Sequence, residues 1–365
     1  MFNKTFAKGK APPIHLASMI GYSVLFFATV GTIANILVLI VLSLSKKSRT
    51  SHYKRLISHL TLTDLLCCVL LYLYVPVELF RHNWQYAKSL CKLIYPGITL
   101  CTNLSVGTIL MITLERYRGV ILPHLTPWRR YNVSVALVIV WIFCLIIIIP
   151  NIATLKVLLY EDKQYCNEHW QSKLLQKVYG ISYFCLSFFL PFLAIAIMHG
   201  HIMYRLKNKE LLPANISSWN QKSQNRITKV LTTVIFGFTI CILPNKLLYL
   251  VWDIAPELEK KSNARFYLRT IQILYWSRVA IDPLLYCFLD TRFQKDLINM
   301  MKKIGALNIM EVEMKKTNIS VLTSVRLDSL KIRSETLKKY EIENNDGVEK
   351  KNETPIIIDN PIKNI

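Results

Sequence analysis

Along roughly the first 290 residues, long apolar runs follow one another with short polar stretches between them, and no run alternates apolar with polar positions. The runs cover residues 18–44, 56–79, 93–114, 133–155, 178–203, 228–252 and 267–289. As a helix, each is long enough to cross a hydrocarbon core about 30 Å thick. Lipid offers backbone N–H and C=O groups no partners, so each run must satisfy its own by coiling. A β-barrel would need alternating positions instead. The pattern predicts an all-α membrane protein, a bundle of seven transmembrane helices with a short amphipathic membrane-surface helix after the seventh.

That short helix is expected over 290–303, where Phe293, Leu297 and Met300 recur at helical spacing against Arg292, Lys295, Lys302 and Lys303. Such a helix lies on the inner leaflet. Beyond it the chain turns polar, with Tyr340 its one aromatic, and cannot bury enough apolar area to fold alone. The expected organisation is an extracellular N-terminus (1–16), a seven-transmembrane domain with its amphipathic helix (17–303) and a disordered cytoplasmic tail (304–365).

Composition supports a membrane class, because 52% of the 365 residues are apolar and only 19% are charged. The charges are also segregated. Lys46, Lys47, Arg49, Lys54 and Arg55 follow the first run with no acid among them, which marks that loop as cytoplasmic. Alternation then puts Arg129, Arg130, Lys207, Lys209, Lys222 and Arg226 inside, and Glu161, Asp162, Glu168, Glu257 and Glu259 outside. The expected location is the plasma membrane, crossed several times, with the N-terminus extracellular and the C-terminus cytoplasmic.

A net charge of +22 raises the question of nucleic acid, but no domain gathers it onto one basic face. Most of it lies just cytoplasmic of the runs, so anionic membrane lipid is the expected partner and nucleic acid is not. The first sixteen residues carry Lys4, Lys8 and Lys10 without the short apolar core of a cleavable signal, so the first run is expected to direct its own insertion. Asn3-Lys4-Thr5 is a glycosylation acceptor sequence on the outer side; those at Asn215, Asn318 and Asn352 fall inside and should stay bare.

Seven of the nine cysteines (67, 68, 101, 144, 185, 241 and 287) lie within runs, where a thiol serves as a small apolar group. Only Cys91 and Cys166 fall in the oxidising outer compartment, and a bond between them would pin the second outer loop over the bundle.

Landmarks then accumulate along the chain. The first run holds Gly31 and Asn35, the second Leu60-Thr61-Leu62-Thr63-Asp64-Leu65-Leu66, and Trp84 precedes Cys91 by seven residues. Arg116, in Glu115-Arg116-Tyr117, follows Cys91 by 25 residues. Trp141 and Pro150, Pro191, Phe238 with Cys241-Ile242-Leu243-Pro244, and Asp282-Pro283-Leu284-Leu285-Tyr286 complete the series. In this order they make the chain resemble the rhodopsin-like (class A) G-protein-coupled receptors across nearly all of residues 17–300, with neuropeptide receptors as the similar group.

Some landmarks carry a physical reading of their own. Asp64 is a carboxylate midway through a span, where charge is costly and must face a cavity or a partner. In the family this position binds sodium. Here Arg278 stands where the family has a small polar residue, so it is expected to pair with Asp64, Asp282 or both as a built-in cation. Glu115 is expected to hold the Arg116 guanidinium until the bundle opens. Pro150, Pro191, Pro244 and Pro283 each remove a helical hydrogen bond and mark possible pivots. Ile242 and His199 depart from the family's usual Trp and Tyr, which shifts the expected switch onto Phe238, Pro244 and Tyr286.

The resemblance also bounds the ligand. Ile98 stands where amine receptors carry an Asp, and Trp276 where opsins carry the retinal-binding Lys, which argues against both. Trp84, Glu115-Arg116-Tyr117-Arg118 and a mixed aromatic and charged rim are similar to neuropeptide receptors. The expected pocket residues are Tyr74, Glu78, Tyr95, Ile98, Thr99, Thr102, Asn245, Lys246, Tyr249, Gln272 and Trp276. Lys246 is expected to meet a ligand carboxylate or Glu78. The implied function is a cell-surface receptor that couples a neuropeptide to a heterotrimeric G protein, with arrestin and receptor kinases as further partners. Neither a cofactor nor a metal is expected, and no phosphate loop or Ser-His-Asp set suggests an enzyme. A lipid or other small-ligand receptor and a non-signalling scavenger are the alternatives, ahead of a membrane enzyme or transporter.

Overall fold

The computed structural model describes residues 14–44, 52–79, 83–122, 130–160, 163–208, 218–255, 264–289 and 291–303. Among these residues lie the helices α1 (Ile14–Leu44), α2 (His52–Leu79), α3 (Lys88–Ile121), α4 (Arg130–Thr154), α5 (Lys173–Lys207), α6 (Ser218–Ile254), α7 (Ala264–Leu289) and α8 (Thr291–Lys303). One antiparallel hairpin, β1 (Leu155–Tyr160) and β2 (Lys163–Glu168), sits between α4 and α5. Asn3, Glu161, Asp162, Asp290 and the tail from 304 lie outside the described residues, as do the side chains of Glu78 and Tyr286.

Helices α1 to α6 are each long and apolar enough to cross a membrane, and their burial is inverted relative to a water-soluble bundle. The least apolar of them, α3, is 72% buried, whereas the most apolar, α4, is only 28% buried. Large side chains such as Phe26, Ile33, Ile139 and Phe236 face outward. Buried polar groups such as Asn35, Asp64, Ser105, Arg278 and Asp282 are set among apolar side chains in the interior, while aliphatic groups also coat the outside, as lipid allows. The protein is a multi-pass helical membrane protein.

Packing runs α1 against α2 and α7, α3 against α2, α4 and α5, and α6 against α5 and α7. Helices extend past the apolar runs that announce them: the run 93–114 becomes Lys88–Ile121, and 178–203 becomes Lys173–Lys207. Hydropathy marks the hydrocarbon zone, but backbone hydrogen bonding persists into the interfacial layers on either side.

Prolines leave local signatures. In α5 the residues Cys185–Phe189 form a π turn, with Leu190 N–H donating to Cys185 C=O five residues back, just before Pro191. Pro191 has no N–H for Ser187 C=O, and the widened turn takes up that mismatch. Ser187 and Phe188 are both buried. In α7, Pro283 likewise leaves Val279 C=O without its helical donor; Asn35 Nδ2 of α1 donates to it at 3.2 Å and to Gly31 C=O at 2.9 Å. The approach requires glycine at 31, because a Cβ there would lie 2.8 Å from that same Val279 oxygen.

The hairpin was not legible in the sequence. Its register pairs Val157 with Cys166 and Leu155 with Glu168. It is tied at three places: the Cys91–Cys166 disulfide joins it to α3, Trp84 N–H donates to Gln164 C=O at 2.6 Å, and Gln164 N–H donates to Asn83 Oδ1 at 3.0 Å. At its base Glu168 accepts from Asn151 Nδ2 of α4 and from Trp170 Nε1, each at 2.7 Å. In α8, Phe293 and Met300 are buried while Lys295 and Lys302 are exposed, which is the amphipathic pattern expected.

Candidate functional site

Three polar groupings stand out: an ion cluster in the middle of the bundle, a cleft between α3, α5, α6 and α7, and a charged pair near the end of α3.

In the middle, Arg278 of α7 donates from Nη1 to Asp64 Oδ1 at 2.7 Å and to Ser105 Oγ at 3.1 Å, with Asp282 Oδ2 at 3.5 Å. Arg278, Asp64 and Asp282 are each about 1% exposed. Both expected carboxylates therefore flank the guanidinium, but unequally. Asp64 is hydrogen-bonded, whereas Asp282 makes an ion pair with no hydrogen bond among the described residues. Nη2 reaches Cys67 Sγ at 3.7 Å, and the guanidinium carbon lies 5.6 Å from the Phe238 ring centroid. A group from α7 thus touches α2, α3 and α6 at once. Ser105, the α3 member, escaped sequence reasoning, since a lone Ser in an apolar run carries no signal of what it faces.

The cleft is narrow and is lined by Thr99, Tyr183, Phe184, Asn245, Lys246, Tyr249 and Tyr275, with Gly180 and Leu250. Four expected pocket residues are among these: Thr99, Asn245, Lys246 and Tyr249. Others sit around it. Gln272 donates to Tyr249 OH at 3.4 Å, and Thr102 shares a 2.7 Å hydrogen bond with Tyr275 OH. Trp276, Tyr74, Tyr95 and Trp84 form a buried aromatic chain in that order, with successive ring centroids 5.5 to 5.8 Å apart, and Ile98 is fully buried in the core. Lys246 Nζ meets Tyr183 OH at 2.8 Å, Ser187 Oγ at 3.1 Å and Asn103 Oδ1 at 3.5 Å. Those three partners come from α5 and α3, and no sequence signal singled them out.

Near the end of α3, Arg116 Nε lies 3.2 Å from Glu115 Oε2, but neither atom has hydrogen-bond alignment. The guanidinium also sits 4.7 Å above the Tyr53 ring. Tyr117 OH and His201 Nδ1 are 3.1 Å apart, joining α3 to α5. His199 Nε2 lies 2.8 Å from Thr232 Oγ1, joining α5 to α6. Thr232 spends its own proton on Thr228 C=O, so the histidine must donate. Phe238, Pro244 and Pro283 lie in α6 and α7 as expected.

A further relay braces α2, α3 and α4: Trp141 Nε1 donates to His59 Nε2 at 2.8 Å, and His59 Nδ1 lies 2.9 Å from Thr108 Oγ1. Trp141 can only donate, so Nε2 accepts and the imidazole is neutral. No group of three or more His, Cys, Asp or Glu side chains could hold a metal ion among the described residues.

Comparison with known proteins agrees with this geometry. The family model described as 7 transmembrane receptor (rhodopsin family) matches residues 34–286, well over half of the chain, and the protein belongs to that family. It is a receptor, not an enzyme. Among similar curated proteins, the neuropeptide Y receptor type 6 of Oryctolagus cuniculus is 23% identical over 297 residues, covering 78% of this chain and 80% of the relative. The QRFP-like peptide receptor of Branchiostoma floridae is 25% identical over 306 residues, covering 80% and 79%. Galanin receptor type 1 of Rattus norvegicus is 24% identical over 275 residues, covering 74% and 78%.

Proposed function

We propose that the protein is a plasma-membrane G-protein-coupled receptor for a neuropeptide. One uninterrupted helix supports this reading best: α3 carries the disulfide-tied hairpin at Cys91 and the Glu115–Arg116 pair 25 residues further on, about 38 Å along its axis. A rigid element of that length connects an outer binding surface with an inner coupling surface. The three relatives above are named as receptors of peptides, which favours a peptide as the ligand.

In this reading α7 is the seventh span, its lower hydropathy owed to the buried Gln272, Ser277, Arg278 and Asp282. The N-terminus (1–16) is extracellular with Asn3 glycosylated, residues 17–303 form the receptor domain with α8 on the inner leaflet, and 304–365 form a cytoplasmic tail. Ligand binds the active arrangement more tightly and so shifts a two-state equilibrium by its differential affinity. Arg116 leaves Glu115, the α5–α6 contact at His199 opens, and a G-protein α subunit enters. Thr323, Ser324, Ser329, Ser334 and Thr336 in the tail are candidate sites for receptor kinases and arrestin. Arg278 occupies the place of the family's sodium ion, bracing Asp64 and Asp282 and touching Phe238, a switch candidate beside Pro244 and Tyr286.

The test is to express the receptor in cells, confirm it at the surface and apply a neuropeptide library while reading calcium and cyclic AMP. A specific peptide response that disappears in Arg116→Ala at equal surface density supports the reading. Silence across the library transfers the weight to a lipid ligand or a decoy.

A further inference from the structure

Lys246 brings an ammonium into the bundle and, among the described residues, finds only neutral oxygens. Its three N–H bonds point to Tyr183 OH, Ser187 Oγ and Asn103 Oδ1, and its Nζ lies 4.3 Å from the Tyr183 ring centroid. Lys246 is 8% exposed, and the three partners are 3 to 4% exposed. Among the described residues no carboxylate pairs with it. Glu168 is turned toward Asn151 and Trp170, and Asp253 accepts from Gln176 at 3.3 Å beside Gly180. Neutral oxygens replace part of an ammonium's lost hydration but do not cancel its charge. Asn103 adds a second unmet demand. An ammonium only donates, so Oδ1 must face Lys246, and that leaves Nδ2 buried with no acceptor among the described residues.

The surrounding cleft states what else the ligand must carry. Tyr183, Phe184, Tyr249 and Tyr275 wall it with rings, and Leu250 closes an aliphatic side. A bare inorganic anion would leave those walls unused. We propose that Lys246, with Asn103 and Tyr183 positioning it, is a carboxylate-receiving subsite for an acid borne on an apolar group. A peptide supplies this as a free C-terminal carboxylate or as an acidic side chain beside an aromatic or aliphatic one. The incoming oxygen takes the Lys246 proton that now points along the longest contact, the 3.5 Å one to Asn103. The source of the carboxylate rests on the peptide-receptor reading; the subsite itself does not.

Two measurements test this and fail separately. Purified full-length receptor in nanodiscs is melted with millimolar N-acetyl-phenylalanine or with its amide. The acid raises the wild-type melting midpoint and the amide does not; Lys246→Met erases the difference and Lys246→Arg keeps it. No effect of the acid, equal effects of acid and amide, or an acid effect that survives in Lys246→Met overturns the subsite. In cells, library peptides are supplied as free acids and as amides, with Asp and Glu exchanged for Asn and Gln. An active peptide loses about tenfold or more in potency when its key carboxylate is neutralised. Lys246→Met imposes the same loss and removes the further effect of neutralisation. An active peptide indifferent to both changes overturns the subsite and keeps the peptide reading. A silent library with the acid-dependent melting shift intact does the reverse.

Discussion

Arg278 Nη1 and Asp64 Oδ1 lie 2.7 Å apart at the middle of the bundle, and Asp282 stands 3.5 Å from the same nitrogen on the other side. One side chain thereby occupies the space between two carboxylates that a free cation would otherwise share. Wild-type receptor should melt at the same temperature in sodium chloride and in choline chloride. Arg278→Gln removes one partner of a buried ion cluster and should cost roughly 3–5 kcal/mol. Sodium, and not choline, should restore part of that loss. A variant as indifferent to sodium as the parent would remove the substitution idea.

His199 and Thr232 hold α5 to α6 through one 2.8 Å hydrogen bond. A net hydrogen bond contributes about 1 kcal/mol, which corresponds to about fivefold in a two-state ratio. His199→Ala and Thr232→Val should each raise basal signalling by about that factor, and the double variant should go no further than either alone. Ligand-free cyclic AMP and calcium assays at matched expression measure it. Additive effects would show that the two side chains act independently.

The hairpin depends on Cys166 for its covalent tie to α3, while the Trp84 backbone N–H and the Asn83 side-chain oxygen hold β2 at Gln164. Cys166→Ser should therefore loosen the hairpin without releasing it. Removing a native disulfide costs about 2–5 kcal/mol in small secreted domains. A loss at the lower end of that range is expected here, together with weaker ligand binding. Differential scanning fluorimetry and a binding isotherm would separate the two effects.

Gly31 packs so closely on α7 that a methyl group there would press on Val279 C=O at 2.8 Å and on Cys68 Sγ at 3.1 Å. The backbone oxygen cannot step aside cheaply. Gly31→Ala should cost about 1–3 kcal/mol, read as a lower melting midpoint. Gly119→Ala, where nothing lies within 4 Å of the added carbon, is the control and should be nearly silent.

Much of this architecture is written in runs of one kind of residue, and those parts could be read directly. The positions of the first six spans, the Cys91–Cys166 bond and the amphipathic 291–303 helix follow from apolar length, from cysteine placement and from helical spacing. What could not be read depends on rotation about helix axes. Lys246 stood out as a charge in an apolar run, but nothing linear showed that it turns to Tyr183, Ser187 and Asn103. Tyr74, Tyr95 and Trp276 share the aromatic character of pocket residues, yet they pack on one another in a chain that reaches Trp84 through Tyr95, beside the cleft instead of lining it. The β1–β2 hairpin was hidden because six-residue strands bounding a polar turn look like any outer loop. Arg278 was the exception: a guanidinium buried in a span has so few acceptable neighbours that Asp64 and Asp282 were nearly its only destinations.

Asn35 serves a carbonyl that belongs to another helix, because Pro283 abandoned it. The two positions are therefore coupled through one oxygen. Replacing Asn35 by an aliphatic residue strands Val279 C=O in hydrocarbon, but a lineage that also exchanged Pro283 for alanine would return that oxygen to its own ladder. The cost of losing Asn35 therefore depends on whether Pro283 is present.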